Sequence, residues 1–588
     1  MDLQKIKSPA DIQSMTVGEL SVLCDDLRSA LLERLSIRGG HIGPNLGMVE
    51  ATVALHYVFD SPVDKIVFDV SHQCYVHKML TGRMQAFTNP DEYGTVSGFT
   101  SPAESPHDLF TIGHTSTAAS LASGLAKARD IRGERYNVIA VVGDGSLSGG
   151  EAFEGLDYGA TLGSNFIVVI NDNDMSIAPN HGGIYDNLRL LRQTDGQAEC
   201  NLFKAMGYKY LYVAYGNDVR SLVDAFLSVK DSDSPVVVHI CTQKGKGYAP
   251  AEAHKESFHF GAPFDLRTGE PLHISEQQNY ATIFRDHMLD AMERNPEVAV
   301  ITAGTPGVLG FGPTERAQAG QRFIDVGIAE QDAVAMAAGM AKGGMRPVFG
   351  VVSSFLQRSY DQLSQDVSIN GMPVVLNIFH GSVFAMNDVT HLGWFDTALV
   401  SNIPGWVCLA PTCKQEYLAM LDWAVGQKKH PVAIKLPGGA VVESGRSFPT
   451  DYSELNRSEV TRNGSKVAII GAGTFFRTAE EAADILADCG VNATVINPRF
   501  LSGLDIALLD ELKANHVLAV TIEDGVLSGG FGEKVAAYYG RSAMRVACYG
   551  LPKEFRDRFN ASELVKECRM TAGQIASDIL GMLGAHSL

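Results

Sequence analysis

The sequence predicts an α/β protein of three doubly wound α/β domains. Short β-branched runs alternate with helical patterns in three successive blocks, as parallel sheets with crossover helices do. The runs themselves, such as Asn137-Val138-Ile139-Ala140-Val141-Val142, are continuously apolar rather than alternating, as strands buried on both faces require. Length agrees: 588 residues, at roughly 150 per domain, makes about three or four domains.

In the first block, strands are expected at 65–70, 137–142, 165–170 and 235–240, with a helix over 115–128 that closes near Arg132-Gly133. The segment 259–276, with Gly261, Pro263, Gly269 and Pro271, reads as a linker. The second block offers strands at 346–352, 373–379, 406–410 and 431–436, and a helix over 331–343. After the polar stretch 443–465, the third offers 466–470, 493–496 and 516–522. The expected domains are 1–260, 275–445 and 460–588. Ile470-Gly471-Ala472-Gly473-Thr474 lacks the third glycine of a nucleotide loop and reads as a strand-to-helix turn.

Composition narrows the function classes. Apolar residues make up 45% and charged residues 20%, a globular balance. With 48 Lys+Arg against 67 Asp+Glu the net charge is -19, which argues against nucleic acid as a partner. There is no apolar run of about 18 residues to span a membrane, and Met1-Asp2-Leu3-Gln4-Lys5-Ile6 does not have the layout of a secretory signal. The nine cysteines are scattered without a Cys-x-x-Cys. The expectation is a large soluble cytoplasmic protein.

Gly143-Asp144-Gly145 follows one apolar strand directly, and Asn171-Asp172-Asn173 follows another. In an open α/β sheet the carboxyl ends of the strands form the ligand crevice, where both tips can meet. The Asp144 carboxylate and the Asn173 amide oxygen are hard ligands suited to Mg²⁺ that also takes diphosphate oxygens. Asp-Gly and Asn-Asp are also common turn pairs. Two such tips, with 27 residues between Gly145 and Asn173, favour the metal reading.

Further stretches resemble the 1-deoxy-D-xylulose-5-phosphate synthase family. They are Gly40-His41-Ile42-Gly43-Pro44-Asn45-Leu46-Gly47, Asp69-Val70-Ser71-His72, Ile112-Gly113-His114-Thr115-Ser116, Gln243-Lys244-Gly245-Lys246-Gly247-Tyr248, Phe258-His259, Ile328-Ala329-Glu330-Gln331 and Ser354-Phe355-Leu356-Gln357-Arg358. The resemblance spans essentially the whole chain. It implies a diphosphate-binding, a pyrimidine-binding and a transketolase-type C-terminal domain, thiamine diphosphate and Mg²⁺ as cofactors, and a homodimer. It implies that Asp144, Asn173 and the carbonyl of Met175 ligate Mg²⁺, and that His72, Gly113, His114, Thr115, Gly145, Ser146 and Tyr248 line the cofactor. Glu330 would hydrogen-bond the aminopyrimidine and so promote loss of the thiazolium C2 proton, with Phe355 stacked on the ring. An acidic residue in the first turn of a helix also suits the helix dipole, a second reading of Glu330. His41, His259 and His391 match positions that move protons or bind substrate oxygens, and each could equally be structural. Arg358 would meet the donor carboxylate.

The departures from the family gather around the acceptor phosphate. Three arginines of the family pattern are here Pro102, His380 and Gly438, and neither proline nor glycine replaces a bidentate phosphate contact. A family tyrosine is Val352, and an aspartate four residues before His391 is Asn387, with Asp388 beside it. Only 25 residues separate Met175 from Asn201, where typical synthases carry many more. The expected function is decarboxylation of pyruvate or a similar 2-oxo acid, with transfer of the two-carbon unit to an aldehyde that need not be glyceraldehyde 3-phosphate. The alternatives are transketolase-like transfer from a ketose donor and a cofactor-binding protein without activity.

Overall fold

The computed structural model describes residues 1–273 and 277–584. The chain divides into two compact units, Met1–Glu276 with Gly327–Ala329, and Gln277–Val326 with Glu330–Leu588. The end of the expected linker, 274–276, and the last four residues of the third expected domain lie outside the described residues.

The first unit is built on five parallel strands, β1 (Lys65–Phe68), β2 (Val138–Gly143), β3 (Phe166–Asp172), β4 (Lys209–Val213) and β5 (Pro235–Cys241), in the order β1-β2-β3-β5-β4. Alternate residues enter two different cores. Ile139, Val141, Ile167 and Val169 face one, and Val138, Ala140, Val142, Val168 and Ile170 face the other. A strand so covered has no solvent face, which explains its unbroken apolar run.

The second unit carries two sheets. One holds six parallel strands, β6 (Val298–Thr302), β7 (Phe323–Asp325), β8 (Arg346–Val352), β9 (Val375–Phe379), β10 (Val407–Leu409) and β11 (Val432–Lys435), in the order β10-β11-β9-β8-β6-β7. The other holds β12 (Glu459–Arg462), β13 (Lys466–Gly471), β14 (Thr494–Asn497), β15 (His516–Val526) and β16 (Arg545–Leu551), in the order β12-β14-β13-β15-β16, with β12 antiparallel. Both are again buried on two faces, and one core holds residues from each, including Phe349 and Leu376 with Ile470 and Ala519. The three doubly wound α/β domains expected from the pattern are therefore present.

Four local findings differ from the expectations or sharpen them. The helix that leads into β2 runs Ala118–Arg132 and starts three residues later than expected. Asp69, just past β1, accepts from the amides of Ser116 (2.8 Å), Thr117 (2.9 Å) and Ala118 (2.9 Å), and Ser116 takes φ +72°. A carboxylate there satisfies orphan N–H groups and suits the helix dipole. The segment read as a linker returns onto the first unit instead: Gly261 and Gly40 exchange backbone hydrogen bonds, and Phe264 is buried in its core. The polar stretch 443–465 contains β12, a half-buried edge strand with no apolar pattern to reveal it. The Gly471-Ala472-Gly473 segment is the turn from β13 into the helix Phe476–Asp488, and a Cβ on Gly471 would meet Ala479 Cβ at 2.7 Å.

A buried polar network crosses the first unit. His56 Nε2 meets His77 Nδ1 at 2.8 Å, His77 Nε2 meets Asp108 at 2.8 Å, and Arg83 reaches both oxygens of Asp108 at 2.7 and 2.8 Å. Burial raises the Asp108 carboxyl pKa, but Arg83 and His77 outweigh it and hold the group below the usual carboxylate range. The stability this supplies is present above about pH 4 and is lost as pH falls below that toward the lowered folded pKa. Asp108→Ala removes the bidentate partner of buried Arg83, leaving it the longer Glu104 contact, and should cost about 3–5 kcal/mol of folding free energy. Urea denaturation measures it, and a loss near the surface-pair value of about 0–1 kcal/mol would contradict the network's role.

Candidate functional site

In the first unit the tips of β2 and β3 carry the oxygen cluster. Asp144 opens a short 3-10 turn, Asp144–Ser148, and is buried. It accepts from Met175 N at 3.2 Å and from Asn180 Nδ2 at 2.8 Å, both neutral donors. Burial and the charge of Asp172 push its pKa up, and the Lys244 charge only partly offsets them, so no cation pairs directly with this carboxylate among the described residues. Asp172 differs. Arg192 reaches its two oxygens at 2.7 Å each, and His239 Nε2 meets it at 2.9 Å. Burial opposes those contacts, yet they hold Asp172 below the usual range. Arg192 also pairs with Asp174 at 2.8 Å, so one guanidinium clamps both sides of Asn173.

The donor set fits Mg²⁺. Asn173 Oδ1 is buried without a hydrogen-bond donor, which is costly unless a ligand supplies the contact. The Asp174 φ of +61° bends the loop so that Met175 N reaches Asp144. A Cβ on Gly145 would lie 2.9 Å from the Ser176 side chain, so glycine is what lets the loops close on each other. Ser146 and Ser116 tie the next loop in, Ser116 Oγ donating to Ser146 O at 2.8 Å. Gly113, His114 and Thr115 lie in the segment leading to that serine.

Three of the expected histidines converge. The His41 and His72 rings lie 5.0 Å apart, His41 and His259 5.8 Å, and His72 and His259 5.3 Å, stacked. Asn45 explains the first pair: its amide nitrogen donates to the carbonyls of His41 and His72, both at 2.8 Å, and its oxygen accepts from Tyr75 N. His72 follows Val70 and Ser71, which take φ +58° and +66°. A β-branched residue at positive φ is strained, and such strain gathers at functional sites. His259 is partly buried, and burial drives its pKa well below the ordinary value, with Lys244 adding to the effect. Lys244 Nζ donates to Ser176 O (2.5 Å) and faces His259 Nδ1 at 3.1 Å. The neutral ring therefore carries its proton on Nε2. Burial lowers the Lys244 amine to about 8. Tyr248 packs between Phe258 and Phe264 with its hydroxyl on Leu266 O at 3.0 Å, so it fixes the loop that carries His259.

In the second unit Glu330 is the first residue of the helix Glu330–Lys342 and is buried. Burial pushes its pKa up, while Arg358, 3.8 Å from Oε2, opposes the shift. Oε2 has no hydrogen bond, so the carboxyl can meet a ligand donor. Phe355 lies in the turn after β8, with its ring 5.5 Å from that of His391. His391 Nδ1 meets Asp388 at 2.9 Å, so Asp388 orients the ring, while Asn387 turns away to Phe559 O at 3.0 Å.

Where the family pattern has arginines, the second unit is closed and acidic. Lys435, at the end of β11, donates to Asp396 and to Asp524 O, both at 2.6 Å. Ser382 Oγ donates to Asp524 at 2.6 Å, and Glu523 accepts from Phe531 N and Gly532 N. Burial pushes the Glu523 pKa up to about 7. A Cβ on Gly438 would sit 1.8 Å from Ser382 Oγ, so no larger side chain fits.

Comparison with known proteins agrees with this geometry. Residues 3–201 match the family model for 1-deoxy-D-xylulose-5-phosphate synthase, 276–442 the transketolase pyrimidine-binding domain, and 456–575 the transketolase C-terminal domain. A 1-deoxy-D-xylulose-5-phosphate synthase from Symbiobacterium thermophilum is 40% identical, over 98% of this chain and 94% of its own. One from Thermomicrobium roseum is 39% identical, over 100% and 98%. The chain belongs to the 1-deoxy-D-xylulose-5-phosphate synthase family. It is accordingly an enzyme, a transketolase-type transferase.

Sequence reasoning about this synthase-family chain missed Arg192, His239, Asn180 and Lys244. Arg192 and His239 reach Asp172 from a helix and from β5, distant in sequence, and no spacing announces them. Lys244 lay inside a quoted motif, where its position beside Tyr248 was the available signal.

Two consequences are measurable. Arg192→Met should free the Asn173 loop and weaken Mg²⁺ binding about 10–100-fold, read by calorimetric titration with thiamine diphosphate present, whereas Asp144→Ala should abolish it. Unchanged affinity in Arg192→Met would remove the clamp from the account. Gly438→Ala should destabilise by about 1–3 kcal/mol in thermal denaturation, and Ser382→Gly in the same chain should restore most of the loss.

Proposed function

We propose that the chain decarboxylates pyruvate, or a similar 2-oxo acid, and adds the two-carbon unit to an aldehyde, using thiamine diphosphate and Mg²⁺. The observation that carries this is a matched pair of unmet needs. Asp144 and Asn173 form a buried oxygen cluster short of positive charge, and Glu330 is a buried carboxyl with an unbonded oxygen. A protein without activity has no physical use for both.

When bound, the cofactor supplies a thiazolium that stabilises a carbanion, with Mg²⁺ offsetting the diphosphate charge. Asp144, Asn173 and the Met175 carbonyl would hold the ion. Glu330, kept protonatable by burial and restrained by Arg358, holds a proton at Oε2 or accepts one there. His259, neutral with its proton on Nε2, is a donor for a substrate oxygen, and His41 and His72 stand beside it. In the second unit the Asp388–His391 pair offers an oriented imidazole next to Phe355. The reading extends to a cytoplasmic homodimer. Among the described residues no helix is long and apolar enough to cross a membrane.

The experiment is CO₂ release from pyruvate with thiamine diphosphate, Mg²⁺ and an aldehyde. Release should depend on all three, and Glu330→Gln should reduce kcat by at least about 10²-fold, the usual worth of a positioned acid or base. Turnover of a ketose donor without CO₂ would replace this reading with ketol transfer.

A further inference from the structure

We propose that the acceptor is an uncharged aldehyde with an apolar or aromatic body, and that Phe260 selects it. The inference rests on the carboligation proposed above and names its second substrate class. Phe260 is 63% exposed although it directly follows the partly buried His259. Its ring centroid lies 5.0 Å from that of His41 at 67°, and the Phe99 ring lies 5.8 Å from the same imidazole at 68°. His41 is thus edged by two phenyl rings, one buried and one open to water.

The backbone holds the open ring in place. Gly40 N donates to Gly261 O at 2.8 Å and Gly261 N to Gly40 O at 2.9 Å, so the residues flanking His41 and Phe260 form a bridge. A Cβ on Gly39 would lie 2.3 Å from Gly261 O, so the approach depends on glycine there. A large aromatic face fixed in water contributes nothing to the core and is available to a ligand.

Charge disfavours the other class of acceptor. A phosphate dianion must recover its desolvation through cationic hydrogen bonds. In the first unit Lys78 and Arg83 are committed to Glu104 and Asp108, and Lys244 to Ser176 O and His259. In the second unit Lys435 is enclosed by Asp396 and Asp524, with Glu523 close enough to feel its charge, so that cluster carries more acid than base.

The test uses the full-length enzyme loaded with thiamine diphosphate and Mg²⁺, and pyruvate with 3-phenylpropanal, glyceraldehyde or glyceraldehyde 3-phosphate. The kcat/KM for 3-phenylpropanal should exceed that for the phosphorylated aldehyde. Phe260→Ala should lower the ratio of the two about tenfold, the worth of one aromatic contact, and Phe260→Tyr should keep it. Preference for glyceraldehyde 3-phosphate, or an unchanged ratio in Phe260→Ala, overturns the proposal. A second measurement, binding of the unreactive 3-phenylpropan-1-ol by ligand-observed NMR, needs no turnover. If no aldehyde reacts but the alcohol binds and loses affinity in Phe260→Ala, the carboligation reading falls while the subsite stands. If the alcohol binds wild type and Phe260→Ala equally, the subsite falls.

Discussion

Two carboxylates, Asp144 and Asp172, sit at the tips of neighbouring buried strands, and a dry interior does not tolerate two uncompensated charges so close. The fold resolves this by spending Arg192 and His239 on one of them. Asp172 becomes the fixed, neutralised member, and Asp144 is left needing a positive charge from a ligand. The same guanidinium grips Asp174, so neutralising the core also sets the bend of the loop that carries Asn173 and Met175. The oxygen cluster proposed to take Mg²⁺ follows from an electrostatic problem of the sheet rather than from an independent arrangement of ligands.

The rest of the first unit's site is organised by similar double use. Asp69 caps a helix, and by doing so pins the strained turn that presents His72. Asn45 joins the backbones of His41 and His72, and Lys244 joins the metal-side loop at Ser176 to His259. Each tie is a hydrogen bond between segments far apart in the chain. Strain at Val70 and Ser71 is tolerable because such ties over-determine the turn.

The region where arginines are missing is not an eroded site. Gly438, Ser382, Asp524, Lys435 and Asp396 fit one another closely, and Gly381 and Gly438 leave no room for a Cβ beside Asp396 and Ser382. An arginine at position 438 alone would collide with that packing. Asp388 tells the complementary story: the aspartate displaced by Asn387 is recovered one residue later, because the turn before His391 brings the Asp388 carboxylate back to the ring.

Much of the fold was legible in residue order. Strands such as β2, β3 and β8 are continuous apolar runs, and burial on both faces leaves that mark in any sequence. The strands that escaped are those whose burial is partial or whose length is short: β4 and β16 at sheet edges, β7 of three residues, and the polar β12. Only β6 was fully buried and still overlooked. The oxygen cluster at Asp144 and Asn173 was readable because strand tips meet in one crevice. By itself the sequence determined the three doubly wound domains and the cofactor-type motifs, since burial and backbone turns act on local residues. The tertiary structure alone decided which carboxylate is neutralised, how the histidines meet, and that Phe260 faces water beside His41. Charge balance and close packing are settled between segments that only folding brings together.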